Sequence, residues 1–177
     1  KGNSYRSLFE YNVVDCEWRL KDDQSIRLGL SLGGGGTGPA YCREQNCQYE
    51  HHDGVIRDNL IINCRQDVGI YVNKAKNSLV ERNILLNNAG IDIRFSQSSA
   101  KLTENLLSGQ IRNRQQAHVQ QQNNHQGLTL GELKKQLVKY KRQGVVFCRN
   151  DKQGKVLMDM AVVNRICINA LTFSSDG

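Results

Sequence analysis

The sequence predicts an all-β chain, a parallel solenoid of about four to five rungs carrying a small α+β extension at its C-terminal end. The first observation behind this is a phrase written three times: Val55-Ile-Arg-Asp-Asn59-Leu-Ile-Ile, Leu79-Val-Glu-Arg-Asn83-Ile-Leu-Leu and Lys101-Leu-Thr-Glu-Asn105-Leu-Leu-Ser. Its asparagine recurs after 24 and then 22 residues. The second is that each copy runs on into a glycine and another apolar alternation, Gly69-Ile-Tyr-Val, Gly90-Ile-Asp-Ile and Gly109-Gln-Ile-Arg. The third is the absence of helical periodicity across this stretch. Short strands and turns at such a period stack as rungs, and each asparagine is placed at an inward turn where its amide bonds the asparagine of the next rung. An antiparallel sandwich is the competing fold, but it gives no reason for asparagines and Gly-Ile pairs to recur in phase.

In chain order, Leu8-Phe-Glu-Tyr-Asn12-Val-Val repeats the same phrase and opens a first rung. Ile26, Leu28, Leu30 and Leu32 alternate with Arg27, Gly29 and Ser31, the pattern of a half-buried strand. Residues 33–53 read as an insertion that leaves the coil at Gly33-Gly-Gly-Gly and carries Tyr41, Glu44, Tyr49, Glu50, His51, His52 and Asp53. A glycine run suits a phosphate cradle, yet the lysine and helix of a nucleotide loop are missing, so a turn out of the coil is expected. Adjacent residues of an extended chain point in opposite directions, so His51 and His52 read as packing or surface histidines and not as joint metal ligands. Ala117 to Asn124 reads as a further, imperfect rung, closing a solenoid domain over residues 1–127. In the extension, residues 128–177, Gly131 to Gln143 has a helical apolar face of Leu133, Leu137 and Tyr140, with Gly144 as its stop. Strands at Val145 to Cys148 and Val156 to Val163, joined by a turn at Asp151 to Gly154, are expected to follow, and the extension is a candidate cover for the last rung.

The formal net charge is +7, and its distribution says more than its total. Residues 1–53 carry six Lys/Arg against eight Asp/Glu, residues 54–127 nine against five, and residues 128–177 nine against four. No aromatic residues interleave with basic ones along the chain, so no nucleic acid partner is expected. No run approaches the ~18 apolar residues of a membrane helix. The chain starts at Lys1, within a few residues of a repeat, which reads as a fragment or a processed chain. Six cysteines lack any CxxC pair. Cys16 and Cys64 follow their asparagines at nearly the same phase, which suits free thiols packed inward, while Cys42 and Cys47 form a loop disulfide if the compartment is oxidising.

Laying the second strands over one another puts Ile70, Val72, Ile91 and Ile93 inside and Tyr71, Asn73, Asp92 and Arg94 outside. The third copy continues with Arg112 and Arg114, so Asn73, Arg94 and Arg114 form one outward column with Lys74 beside it. Neighbouring rungs lie about 4.8 Å apart, and a column of cations at that spacing is a track for a linear polyanion such as an acidic polysaccharide. Tyr71, Asn73, Arg112 and Arg114 are therefore expected to line a substrate.

The stretch from Ile70-Tyr-Val-Asn-Lys74-Ala through Gly90-Ile-Asp-Ile-Arg94-Phe to Asn105-Leu-Leu-Ser-Gly109 resembles the right-handed parallel β-helix of the pectin-lyase-like superfamily. Within it, the likeness is to polysaccharide lyase family 6, the alginate lyase and chondroitinase B group. Those enzymes carry a lysine in an Asn/Ser-Lys-Ser/Ala context and an arginine one rung later, positions matched here by Lys74 and Arg94. The resemblance implies an extracytoplasmic enzyme that cleaves uronate-containing glycan by β-elimination. Lys74 would remove the proton alpha to the carboxylate, and Arg94 would stabilise or protonate the departing oxygen. It also implies Ca²⁺ held by carboxylates just ahead of the lysine strand, where this chain offers Asp67, with Glu44, Glu50 or Asp53 of the insertion as further donors. The rival reading is a non-catalytic carbohydrate-binding or surface-structural solenoid. A glycoside hydrolase needs paired carboxylates, and Asp67 and Asp92 are out of phase.

Overall fold

The computed structural model describes residues 2–17, 28–38, 40, 42, 47–65, 67–140, 145–146 and 166–167. It is a parallel β-solenoid whose strands stack in register on three faces. The first face stacks Leu8–Glu10, Val55–Arg57, Ser78–Glu81, Ser99–Thr103 and His118–Gln122; the second stacks Val13–Asp15, Leu60–Ile62, Ile84–Leu86 and Leu106–Leu107. Leu30–Gly33, Ile70–Asn73, Gly90–Arg94 and Gln110–Arg114 form the third, and a short strip of Ser4–Tyr5, His51–His52 and Ala75–Lys76 turns the corner from the third face back to the first.

The coil closes about three regular turns, fewer than the four to five rungs expected from the repeat. The reason lies at its C-terminal end, where Gln121 stands in register on the inward Leu102 and a polar side chain at that position cannot prolong an apolar core. Inside, Ile56, Val80 and Leu102 from the first face meet Ile61, Leu85 and Leu107 from the second and Ile70, Val72, Ile91 and Ile93 from the third, all fully buried. On the second face the outward residues Leu60, Ile84 and Leu106 are buried too, which is why its strands read as unbroken apolar runs.

The asparagine ladder forms as the repeat requires and links five asparagines, from Asn12 to Asn59, Asn83, Asn105 and Asn124. Each lower asparagine donates both its backbone N–H and its side-chain Nδ2 to the Oδ1 above it, at 3.0 and 3.0 Å for Asn83 on Asn105. The other amide hydrogen reaches a strand carbonyl, as from Asn83 to Ile56 at 2.9 Å. The residue just before every ladder asparagine has a left-handed backbone: Tyr11, Asp58, Arg82, Glu104 and Asn123, with φ between 52 and 57°. That conformation is unfavourable for a side-chain-bearing residue, and the buried amide bonds of the next residue hold it. A second, shorter ladder at the following corner runs from Asn87 to Asn63 to Asp15.

Cys16 and Cys64 are not free thiols but a disulfide, and Cys42 and Cys47 form a second. Cys16 N–H donates to the Ile62 carbonyl at 3.1 Å, so the two chains run side by side and their Cα atoms stand 5.0 Å apart, within bridging range. Closing a 48-residue separation stabilises the coil by about 4 kcal/mol on the chain-entropy account.

The insertion rejoins the coil before residue 53, because His51 and His52 are a strand paired with Ser4–Tyr5 and Ala75–Lys76. Its glycine run is tied back by Glu50, whose buried carboxylate accepts the Gly35 N–H at 2.6 Å, so that amide already faces an anion. Tyr41 and Glu44 lie outside the described residues. His51 points inward, 4% exposed, with Nε2 2.9 Å from the Ser7 hydroxyl. Burial, then the neighbouring His52, pushes its pKa below 6.5, against the opposing pull of Asp53. The unfolded chain therefore binds this proton more readily than the folded one, so stability present above pH 6.5 is lost as pH falls toward the depressed folded value. Urea midpoints taken between about pH 7.5 and about pH 5 should fall with acidification, and His51→Leu should remove that part of the slope. An unchanged slope in the variant would mean that other groups carry it.

The described helix spans Leu130–Tyr140, covering the expected Gly131 to Gln143 as far as Tyr140, and the remainder, 141–143, lies outside the described residues. Thr129 and Glu132 form a capping box: the Glu132 carboxylate accepts from Thr129 N–H at 2.8 Å, and the Thr129 hydroxyl accepts the Glu132 N–H at 3.3 Å. Beyond it, Val145–Val146 pairs in parallel with Ile166–Cys167. Gly144, the turn at Asp151 to Gly154 and the strand expected at Val156 to Val163 lie outside the described residues. Packing divides the chain into units Lys1–Leu133 and Lys134–Gly177.

Candidate functional site

The outward side of the third face carries the residues singled out in the sequence, and the strand register places them as the alternation requires. Asn73, Arg94 and Arg114 are direct partners across three parallel strands, and Tyr71, Asp92 and Arg112 form the adjoining column. Ile70, Val72, Ile91 and Ile93 between them are fully buried, which fixes the outward set.

The column differs from a row of free cations. Asp92 stands on the outer side, yet its side chain is only 3% exposed because Arg114 lies across it. Arg114 Nε donates to Asp92 Oδ1 at 2.9 Å, and its Nη2 donates to Oδ2, a two-pronged pair. Its hydrogen bonds to the Asp92 carboxylate raise the Arg114 pKa above its ordinary value. Arg94 reaches the same carboxylate only at 4.0 Å. One carboxylate cannot neutralise two guanidiniums, so the Asp92 charge goes to Arg114 and Arg94 keeps an outward positive charge. Arg94 lies over the ring of Tyr71, 5.8 Å from its centroid, and the Tyr71 hydroxyl accepts from Asn73 Nδ2 at 3.1 Å. Tyr71, Asn73, Asp92, Arg94 and Arg114 are thus one connected group, and Arg112 is exposed at its end.

Lys74 sits at the corner where the third face ends, with a left-handed φ of 46°. The backbone turn aims its side chain along the corner, where Nζ lies 5.5 Å from the Phe95 centroid, one rung on. Phe95 has the same left-handed backbone, with φ 76°, because Asn73 and Arg94 are in register and each strand bends at the residue that follows. The Lys74 carbonyl accepts the Glu50 N–H at 2.8 Å, which anchors this corner to the returning insertion.

Asp67 does not build a calcium site with the residues described. Its Oδ1 accepts the adjacent Val68 N–H at 2.8 Å, and no cluster of three or more His, Cys, Asp or Glu able to hold a metal occurs among the described residues. Calcium takes six to eight oxygens, and the donors here do not fit it. Asp53, another candidate donor, pairs with His52 at 2.9 Å.

The linear sequence hid the aromatic partners. Aromatic and basic residues do not alternate along the chain, but the coil interleaves them in space: Arg94 with Tyr71, Lys74 with Phe95 and Lys76 with Tyr49. Recognising these pairs requires the rung register, since Lys74 and Phe95 are distant in sequence and neighbours only across strands.

No protein-family model matches this chain, no curated protein matches it in sequence and no solved structure matches it in fold. No helix among the described residues is long and apolar enough to cross a membrane.

Proposed function

We propose that this chain engages a linear acidic polysaccharide along the third face and cleaves it at uronate residues by β-elimination. The observation that carries the reading is the column of register partners Asn73, Arg94 and Arg114, in which Arg94 alone stands clear of a close carboxylate partner. Arg94 would bind the substrate carboxylate or the departing oxygen through its planar donors, with Tyr71 and Asn73 fixing its direction. Lys74 would take the proton alpha to the carboxylate. The electron pair then forms the new carbon–carbon double bond as the glycosidic C–O bond breaks, and the leaving oxygen takes a proton from solvent water. Arg112, exposed at the end of the group, would extend the positive field along the polymer, and Arg114, its charge met by Asp92, would line it. Two disulfides suit an oxidising, extracytoplasmic setting for such a substrate.

A non-catalytic carbohydrate-binding or surface role is the second reading. It is supported by the same cationic column, which can hold a polyanion without turning it over. No step above is routed through a metal.

Incubation with alginate, chondroitin sulfate and pectate separates the two. A rise in ultraviolet absorbance from the unsaturated product with one polymer is the expected result. Retention on acidic-glycan columns without product from any polymer would establish the binding role instead, and neither product nor retention would remove the glycan reading altogether.

A further inference from the structure

Beyond Lys74 the chain does not leave the surface bare. The corner strip that links the third face to the first sets Tyr5, His52 and Lys76 in register on three parallel strands. Between its outward positions the chain turns alternate residues inward, as the buried His51 and Ala75 show, so these three side chains share one outer side. The rings of Tyr5 and His52 stack, with centroids 5.4 Å apart and planes 15° from parallel. Tyr5 remains 61% exposed and so presents a large flat surface. Lys76 holds its ammonium 5.3 Å from the Tyr49 centroid, and Arg6 lies 5.9 Å from that of Tyr5.

We propose that this strip, Tyr5, His52, Tyr49 and Lys76, is a second set of sugar subsites for the same acidic polymer, which crosses the corner past Lys74 and Phe95. The inference rests on the acidic-glycan reading of the third face and extends it. Three features favour such an occupant. The strip adjoins the Lys74 corner directly, since Lys76 is two residues on. It pairs flat rings, whose negative faces receive the C–H side of a pyranose, with cations that meet its carboxylate. Its cations are spread among rings, not gathered at one point, which matches a chain carrying its charge at intervals along linked rings. Single-stranded nucleic acid also uses rings and cations, and the test must separate it.

The full chain is titrated with a long uronate polymer by fluorescence anisotropy, beside a Tyr5→Ala/Lys76→Ala variant and a Lys101→Ala variant. Lys101 is an exposed lysine on the first face and controls for loss of charge alone. The expected result is binding about tenfold weaker in the double variant, from the loss of one ring surface and one cation, with Lys101→Ala within about twofold of the unaltered chain. Unaltered affinity in the double variant, or an equal loss in Lys101→Ala, overturns the strip while leaving the third-face reading intact. Displacement of the glycan by a single-stranded oligonucleotide at matched charge overturns the assigned ligand class. Failure of the unaltered chain to bind any acidic glycan overturns the third-face reading and this one with it.

Discussion

Asn83→Ala is expected to lower the unfolding free energy by about 4 kcal/mol. Asn83 is fully buried at the middle of the ladder, so no water can replace its amide. Its Oδ1 accepts from the Asn59 N–H at 3.1 Å and from Asn59 Nδ2 at 2.9 Å, and its own Nδ2 donates to the Ile56 carbonyl at 2.9 Å. Truncation orphans these groups on the rungs beside it, each at about 1–3 kcal/mol, and removes the bonds that hold the left-handed Arg82 before it. Asn12→Ala is the matched comparison at the exposed end of the same ladder, where solvent replaces the lost bonds and about 1 kcal/mol or less is expected. Urea unfolding of both variants measures the difference. Equal costs at the two positions would show that the ladder follows the coil without stabilising it.

Lys74→Ala should lower turnover of the cleaved polymer about a thousandfold while leaving column retention nearly unchanged, the signature of a lost proton acceptor. Arg94→Ala should reduce both, because its charge is the one on the column not already committed to Asp92. Arg114→Ala should act differently again. It strands the Asp92 carboxylate, only 3% exposed, and is expected to cost about 2–3 kcal/mol of stability. Joint replacement of Asp92 and Arg114 by leucine should recover most of that loss, since neither charge is then left unpaired. Kinetics, retention and urea unfolding on the same four variants check the whole pattern. If Arg94→Ala instead lost stability and kept retention, the roles of the two arginines would be exchanged.

Half of this distinction was present in the sequence. The alternation of Ile91 and Ile93 with Asp92 and Arg94 gave the outward column, because side-chain direction in a strand has period two and needs only the local chain. It did not give the division of labour among the charges. Which arginine covers Asp92 depends on side chains meeting across strands, and Arg114 is a full rung away from its partner in the chain. The cysteines behaved similarly: their phase was legible, but a phase match fits packed thiols as well as a bridge, and only the 5.0 Å Cα separation decides.

The sequence by itself determined the solenoid, the asparagine ladder and the inward isoleucines, since a repeat imposes its period on every rung it forms. It overstated the rung count, as Gln121 shows only in register that the core has ended. Tertiary structure alone decided that Arg114 takes both Asp92 oxygens, that Arg94 reaches them only at 4.0 Å, and that Tyr5, His52, Tyr49 and Lys76 share a strip with the Lys74 corner beside it. The physical reason is that stacking converts separations of some twenty residues into contacts about 4.8 Å apart, and charges and rings act on one another only at such distances.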